Sequence, residues 1–221
     1  MKAELINVVK TYKEKCVLDG ASCCFDGGKI YGLVGENGAG KSVVLKLLAG
    51  LAAPTEGQVL TGGEPAAARK TVTVGGLINE AGFVDYMSGL ENLRYLAALE
   101  GGLTKSELED AMRTVGLDPA LRKGVGKYSF GMRQRLGIAQ AVMKPHDIYL
   151  FDEPLNGIDA YSQETIRNVI KALRAEDRVV VITSHNTQDI DYLCDEVYEV
   201  KNGNIKPVDA YVRNSKGLLT L

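Results

Sequence analysis

The chain contains the stretch Lys29-Ile30-Tyr31-Gly32-Leu33-Val34, followed at once by Gly35-Glu36-Asn37-Gly38-Ala39-Gly40-Lys41-Ser42. The first part is apolar and partly β-branched, which favours a buried strand. The second part fits G-x-x-x-x-G-K-[ST] at every fixed position. Residues 43–49 then have helical composition and stop at Gly50. Strand, glycine-rich loop and helix in this order predict an α/β core built around a phosphate-binding loop.

The loop has the chemistry that a triphosphate needs. Its glycines let the backbone curl so that successive N–H groups face a phosphate, and the new helix adds about half a unit of positive charge there. Lys41 can reach the β- and γ-phosphates, and the Ser42 hydroxyl can bind Mg²⁺. A plain glycine-rich turn with a surface lysine is the weaker alternative. The residues expected at the nucleoside triphosphate are Gly35, Asn37, Gly38, Gly40, Lys41 and Ser42, with none expected from position 43.

Composition limits the class of protein. With 221 residues, 45% of them hydrophobic and 24% charged, the chain is expected to be globular and to bury a sizeable core. A net charge of −2 without a long basic block argues against a nucleic-acid partner. The four cysteines form no C-x-x-C pair, which favours reduced thiols over a metal site. No run of about 18 apolar residues is present, so we expect any membrane role to depend on a partner.

The segment before the loop predicts an antiparallel sheet. Short apolar runs at 4–9, 15–19 and 21–25 are separated by turn residues, including Asp19-Gly20. Tyr12 lies in a polar, turn-like context. It is either a packing residue at a strand edge or a platform for a base.

The segment after the loop's helix contains further strands and then becomes helical. Strands are expected at 58–61 and 72–78, and helices at 90–99 and 105–115, the latter capped by Thr104. We interpret about 86–140 as a helical lobe inserted into the α/β core.

The core resumes at 148–152, an apolar strand that ends in Asp152-Glu153. Ligands of open α/β sheets bind at the carboxyl ends of the strands, so these acids are expected near the site. A helix at 162–174 and a strand at 178–183 follow, and Ser184-His185 marks the tip of that strand. After a helix at 188–194, Asn202-Gly203 predicts a hairpin.

A polar stretch lies between these features, Tyr128-Ser129-Phe130-Gly131-Met132-Arg133-Gln134-Arg135. With the loop, Asp152-Glu153 and His185, it makes the chain resemble the ATP-binding subunit of ABC transporters from about residue 5 to 205. The resemblance implies a P-loop NTPase with a RecA-like core, an N-terminal antiparallel β subdomain and an inserted α-helical subdomain. It implies a single ABC ATP-binding domain over 1–221, with its core at about 1–85 and 141–210.

The resemblance also implies the catalytic roles. Lys41 and the loop amides would hold the phosphates, while Ser42 and Asp152 would hold Mg²⁺, Asp152 through a water. Glu153 would polarise the attacking water, as general base or orienter. His185 would contact the γ-phosphate and help to fix the water and the base.

Other implied roles involve a second chain. Ser129 and Gly131 belong to the family's signature, which touches the ATP bound on the opposite subunit. Ser129 can at the same time cap the following helix. Asp159 matches the loop that communicates across that head-to-tail dimer, and Tyr12 would stack on adenine.

Two departures from the family pattern stand out. Phe130 and Met132 replace a Gly and the Gln of the consensus signature, so a polar contact is lost. Asn79 occupies the position of the family's usual metal-binding Gln, and Glu80 is an alternative ligand one residue on. The surrounding sequence most resembles bacterial subunits that export peptide antibiotics such as bacitracin and lantibiotics.

We therefore expect an ATPase that dimerises with a second copy or a homologous subunit and acts under a separate integral membrane permease. It would be cytoplasmic and peripheral on the inner face of the cell membrane. A soluble ABC-type ATPase without a permease is one alternative. Its chromosome and repair types place long coiled coils between loop and signature, whereas in this chain Ser129 comes only 88 positions after Lys41. A nucleotide-gated regulatory module is the other.

Overall fold

The computed structural model describes residues 1–79, 81–99, 101–175 and 177–208. Its strands are β1 (Lys2–Tyr12), β2 (Lys15–Asp26), β3 (Lys29–Val34), β4 (Glu56–Thr61), β5 (Glu64–Pro65), β6 (Val74–Leu77), β7 (Ile148–Asp152), β8 (Val179–Thr183), β9 (Glu196–Lys201) and β10 (Asn204–Pro207). Its helices are α1 (Lys41–Leu48), α2 (Gly89–Leu99), α3 (Lys105–Thr114), α4 (Phe130–Val142), α5 (Ala160–Ala172) and α6 (Thr187–Leu193), with a 3₁₀ turn at Val125–Lys127.

The chain forms two compact units, each built from separate segments. Among the described residues, the first unit comprises Met1–Val74, His146–Glu153 and the chain from Leu173 to 208; the second comprises Gly75–Pro145 and Pro154–Ala172. The predicted α/β class, the N-terminal antiparallel sheet and the helical segment are confirmed. The assignment of one ABC domain over 1–221 with a lobe at 86–140 stays a prediction, and residues 209–221 lie outside the described part of the chain.

The first unit contains two sheets. One is antiparallel, with the order β2-β1-β4-β5. In the other, β9, β3, β8 and β7 run parallel in that spatial order, and β10 pairs antiparallel with β9. All side chains of β8 are buried, as are four of the five in β7. Such apolar runs suit strands that are covered on both faces.

The N-terminal strands are longer than the sequence predicts. The expected break at Asp19-Gly20 is wrong, because β2 continues through both residues. The register shows them opposite the single residue Val9, which is a β-bulge, and Gly20 has a φ of +67°. An Asp-Gly pair therefore serves here as a bulge, a use that local sequence does not distinguish from a turn. Strand β5 was not anticipated.

The C-terminal hairpin agrees with its sequence signal. Asn202 and Gly203 connect β9 to β10 with φ values of +49° and +77°. Two positive φ values are what a two-residue hairpin turn requires, and Asn-Gly supplies them most readily. The Gly203 carbonyl also accepts a 2.8 Å hydrogen bond from the Asp19 N–H, which joins the hairpin to β2.

In the second unit, α2, α3 and α4 pack against one another. Thr104 caps α3 as predicted: its N–H donates to Glu107 Oε2 at 2.8 Å, and its hydroxyl accepts from the Glu107 N–H at 3.3 Å. The apolar side chains Leu93, Met112 and Leu136 are completely buried. Within the described ranges, no helix has the length and apolar character needed to cross a membrane.

Candidate nucleotide-binding site

The phosphate loop joins β3 to α1 in the first unit. Gly35 and Gly40 have φ values of +144° and +114°, a region that side chains rarely adopt. A Cβ at Gly35 would also collide with the carbonyl oxygen of Val200, and one at Gly40 would lie 3.0 Å from Val17 Cγ1. Both glycines are therefore fixed by conformation and by space, which explains the loop pattern.

Lys41 turns back into the loop that precedes it. Its side chain is buried, and its ammonium donates hydrogen bonds to the carbonyl oxygens of Gly35 at 2.7 Å and Glu36 at 3.2 Å. Ser42 follows in the first turn of α1 and is half-buried. The loop thus holds one positive charge inside its curl, at the end of a helix where the backbone dipole also favours an anion.

Position 43 adds no polar group to the site. The residue there is Val43. Val43 is half-buried in the first turn of α1, and its side chain has no atom that could donate to a phosphate or bind a metal. The hydroxyl expected at Mg²⁺ is therefore that of Ser42.

The strand register brings the acidic strand end to this loop. Leu33 of β3 pairs with Thr183 of β8, and Thr183 pairs with Asp152 of β7. These three residues therefore lie level across neighbouring parallel strands, two steps of about 4.8 Å apart. Asp152 and the start of the phosphate loop share one edge of the sheet, as the position of the Asp-Glu pair predicts.

Four residues are linked by hydrogen bonds at the tips of β7 and β8. The Thr183 hydroxyl donates to Asp152 Oδ1 at 2.6 Å and accepts the Glu153 N–H at 2.9 Å. Glu153 Oε2 lies 2.9 Å from His185 Nδ1 and 3.4 Å from the His185 backbone nitrogen. Because a carboxylate oxygen only accepts, Nδ1 carries the proton of the first contact. The predicted catalytic residues Glu153 and His185 are therefore in direct contact.

Tyr12 stands at the end of β1 and is 44% exposed, so it is not a core residue. The ammonium of Lys10 lies 4.6 Å from the centre of its ring, a cation–π contact. Tyr12 pairs with Lys15 at the start of β2. The next two residues, Cys16 and Val17, line a cavity of about 410 Å³ together with the loop residues Asn37, Gly38 and Ala39. A role as a base platform stays a prediction.

The signature residues lie together in the second unit. Ser129 caps α4, its hydroxyl accepting the Met132 N–H at 3.2 Å. Gly131 approaches the loop of residues 155–159 so closely that a Cβ would lie 2.6 Å from the Gly157 carbonyl oxygen. In that loop, Asp159 accepts a 3.0 Å hydrogen bond from the Ser162 N–H, and this bond helps to lower the pKa of the Asp159 carboxyl.

The sequence matches the family described as "ABC transporter" over residues 18–156. The chain belongs to the ABC transporter family. It is 38% identical to the bacitracin transport ATP-binding protein BcrA of Enterococcus faecalis, covering 91% of this chain and 67% of that protein. It is 30% identical to the lantibiotic transport ATP-binding protein SrtF of Streptococcus pyogenes, covering 90% and 86%.

A solved structure shows the same ABC cassette fold. The ATP-binding cassette MJ0796, in a dimeric post-hydrolysis state bound to ADP and Pi, aligns with a TM-score of 0.84 at 22% identity, covering 92% of this chain and 96% of that one. The P-loop NTPase fold is thus confirmed. The protein is an ATP-binding subunit of an ABC transporter, with the ATPase activity of that family.

Asn79 is a predicted metal ligand that belongs to the second unit. It is exposed, with a φ of +62°. Its role as a metal ligand stays a prediction. The alternative, Glu80, lies outside the described residues.

Sequence reasoning missed two parts of the site. The pattern at 178–183 predicts a strand and gives Thr183 no further role; a hydroxyl at the last position of a buried strand, beside a strand ending in Asp, is the signal that indicates one. The second is the packing of Phe130 on Gly157, where a Cβ at Gly157 would overlap the ring, lying 2.6 Å from Cε1. Both involve contacts between distant positions of the chain.

Proposed function

We propose that this subunit hydrolyses ATP at the sheet edge formed by the phosphate loop and the tips of β7 and β8, and that hydrolysis drives a separate membrane permease. The observation that carries the proposal is the contact of Glu153 with His185 beside Asp152. Three groups of the expected chemistry meet at the edge where the phosphate loop begins. Each would say little alone.

The loop supplies the phosphate-binding function. Its inward N–H groups and the start of α1 attract the negative oxygens of ATP. Lys41 can exchange its contacts with the Gly35 and Glu36 carbonyls for the β- and γ-phosphates, because an ammonium donates three hydrogen bonds in adaptable directions. ATP is thereby held with its terminal phosphate near the strand tips.

The donor set also fits Mg²⁺. A hydroxyl from Ser42 and one carboxylate from Asp152 are hard oxygen ligands, and this ion typically takes only one or two carboxylates, with phosphate oxygens and waters completing its shell. Among the described residues, no group of three or more His, Cys, Asp and Glu could form an all-protein metal cage. Bound there, Mg²⁺ would neutralise charge on the phosphates. Ser42 and Asp152 would fix where that charge is neutralised.

Glu153 and His185 would act on the water. The Glu153 carboxylate accepts a proton from the water while the water oxygen forms a bond to the γ-phosphorus. The bond from that phosphorus to the β–γ bridging oxygen breaks, which leaves ADP and phosphate. His185 holds the carboxylate through Nδ1, and an Nε2 that also carries a proton would donate to a γ-phosphate oxygen. His185 would thus orient both the Glu153 carboxylate and the γ-phosphate.

A second subunit would complete the site. One chain carries one phosphate loop and one signature, and Ser129 caps a 13-residue helix whose N-terminus suits a phosphate. We infer that two subunits, identical or homologous, associate head to tail, so that Ser129 and Gly131 of one contact ATP on the other. Asp159 would relay the state of one site to its neighbour.

The relatives suggest the cargo. BcrA and SrtF are named for bacitracin and lantibiotic transport. We infer that this subunit works on the cytoplasmic face of the membrane, docked to a permease that exports an antimicrobial peptide or a drug. Residues 81–93 of the helical segment would pass the motion to that permease.

The substitution Glu153→Gln tests the proposal. It keeps the size of the side chain but removes the basic carboxylate, so ATP binding should persist, turnover should vanish and an ATP-bound dimer should accumulate. Steady-state hydrolysis and sizing with ATP measure this, with Glu56→Gln at an exposed strand position as the control. Undiminished hydrolysis would reject the role of Glu153. Co-purification of a multi-span membrane protein with this subunit tests the partner. Stimulation of the ATPase activity of that complex by bacitracin tests the cargo.

A further inference from the structure

Thr183 occupies an unusual position for a hydroxyl. It is the last residue of β8, is completely buried, and follows four apolar residues of the same strand. A buried hydroxyl without partners would destabilise the fold, so its contacts must compensate for its loss of water. Its two hydrogen bonds reach the two acidic residues at the end of the neighbouring strand.

The direction of each bond follows from the chemistry of the groups. A hydroxyl has one proton to donate and lone pairs to accept. A backbone N–H can only donate, so the Thr183 oxygen accepts from Glu153 at 2.9 Å. The single hydroxyl proton is then directed to Asp152 Oδ1, at 2.6 Å. One oxygen atom thus ties a side chain to the backbone of the next residue.

The backbone of Glu153 needs such a tie. Its φ of +49° lies in the left-handed region, which is unfavourable for a residue with a Cβ. The bond from its N–H to Thr183 helps to hold this conformation. The side chain of Glu153 leaves the strand from that same backbone and reaches His185. A change at Thr183 would therefore be felt at the Glu153–His185 contact.

We propose that Thr183 is the positioning residue of this site, and that its hydroxyl sets both the carboxylate of Asp152 and the backbone of Glu153. This rests on the proposed function, in which Asp152 serves Mg²⁺ and Glu153 serves the water. One hydroxyl then couples metal binding to hydrolysis. Its loss should impair both while leaving the Mg²⁺-independent part of ATP binding, which belongs to the loop, intact.

The test uses three variants of the full-length chain. Thr183→Val keeps the shape and removes the hydroxyl, Thr183→Ser keeps the hydroxyl, and Val181→Ala weakens the core of the same buried strand without touching either bond. ATP affinity is measured by calorimetry in EDTA and in Mg²⁺. The turnover number and KM are measured in parallel.

For Thr183→Val we expect ATP affinity in EDTA to stay within about twofold of the wild-type value. The increase in ATP affinity that Mg²⁺ causes (the Mg²⁺ gain) should be lost. The turnover number kcat should fall by about 10- to 100-fold, since small misplacements of catalytic groups cost that much. Thr183→Ser should restore most of both. Val181→Ala should lower the melting temperature but keep the Mg²⁺ gain. The inference would be overturned if Thr183→Val kept both the Mg²⁺ gain and the wild-type kcat. It would also be overturned if Val181→Ala lost as much of both as Thr183→Val does.

Asp152→Asn separates this inference from the proposed function. If Asp152→Asn loses the Mg²⁺ gain while Thr183→Val keeps both the gain and its kcat, Thr183 is not the positioning residue and the proposed function stands. If Asp152→Asn keeps the gain, the metal role of Asp152 fails, and with it the basis of the inference.

Discussion

The carboxylate of Glu153 and the imidazole of His185 meet at 2.9 Å, from Oε2 to Nδ1, although the two residues belong to different strand tips. The same carboxylate oxygen lies 3.4 Å from the backbone nitrogen of His185. The side chain and the backbone of His185 thus both contact Oε2 of Glu153. That arrangement fixes the carboxylate better than either contact alone.

Replacing this imidazole should impair turnover more than binding. For His185→Ala we expect kcat to fall by about 100-fold, the scale of general acid–base contributions, with ATP affinity within about threefold because the loop is intact. Steady-state hydrolysis and equilibrium binding measure the two quantities. Gln188→Ala, at an exposed position of α6, is the control. Unchanged turnover in His185→Ala would contradict the pairing.

Lys41→Ala should have the opposite profile. Its ammonium lies inside the loop on the Gly35 and Glu36 carbonyls, where the phosphates are expected. Hydrogen bonds to charged groups contribute about 1.5–3 kcal/mol, so ATP affinity should fall by about 10- to 100-fold. Equilibrium dialysis with ATP tests this. Lys46→Ala, in the last turn of the same helix, should bind normally; equal affinities in the two variants would contradict the prediction.

The parts of the site that the sequence predicted are the contiguous ones. Residues 35–42 and the strand ending in Asp152-Glu153 each carry their chemistry within a few positions, and strand, loop and helix are local structures. Their meeting at one sheet edge followed from a general rule for parallel sheets. The Asn202-Gly203 hairpin was equally local, because Asn and Gly are the residues that most readily adopt its positive φ values.

The parts that escaped prediction depend on distant partners. Thr183 reads as an ordinary β-branched strand residue until the register places it beside Asp152. At Gly20, the choice between a turn and a bulge depends on pairing with β1, which local sequence does not encode. The fit of Phe130 on Gly157 depends on the start of α4 and on the conformation of the loop of residues 155–159.

Phe130 and Gly157 should therefore be energetically coupled. A Cβ at Gly157 would overlap the Phe130 ring, and its φ of +68° adds a conformational penalty. We expect Gly157→Ala to destabilise the protein by about 1–3 kcal/mol from overpacking, beyond about 1 kcal/mol from the backbone. In a Phe130→Ala background, Gly157→Ala should cost only the backbone contribution of about 1 kcal/mol. Urea unfolding of the four proteins gives the coupling energy.

The loss of stability that comes from placing a Cβ at a positive φ has its own control. Gly20 has a φ of +67°, and a Cβ there would meet nothing within 4 Å. Gly20→Ala should therefore cost about 1 kcal/mol in both the wild-type and the Phe130→Ala background. Additive effects of Gly157→Ala and Phe130→Ala would show that the ring does not occupy the space at Gly157.

The cysteines offer a readout of nucleotide binding without any substitution. Cys16 is exposed, whereas Cys194 is buried and its burial raises the pKa of its thiol. The folded protein therefore keeps Cys194 protonated at pH 8, while the unfolded chain, with a thiol pKa of about 8.5, ionises as pH rises. Cys194 should resist a thiol reagent at pH 8, and its stabilising effect should decline above about pH 8.5.

Cys16 should react first, and ATP should protect it. It lines the same cavity as Asn37 and Gly38 of the phosphate loop, so bound nucleotide would restrict access to its sulfur. At ATP about ten times above Kd, about one protein in ten is free, and labelling should slow about tenfold. Mass spectrometry locates the label, and Cys16→Ser should abolish it. Because Lys41→Ala weakens binding, it should lose the protection; a labelling rate that ATP leaves unchanged would place the nucleotide away from β2.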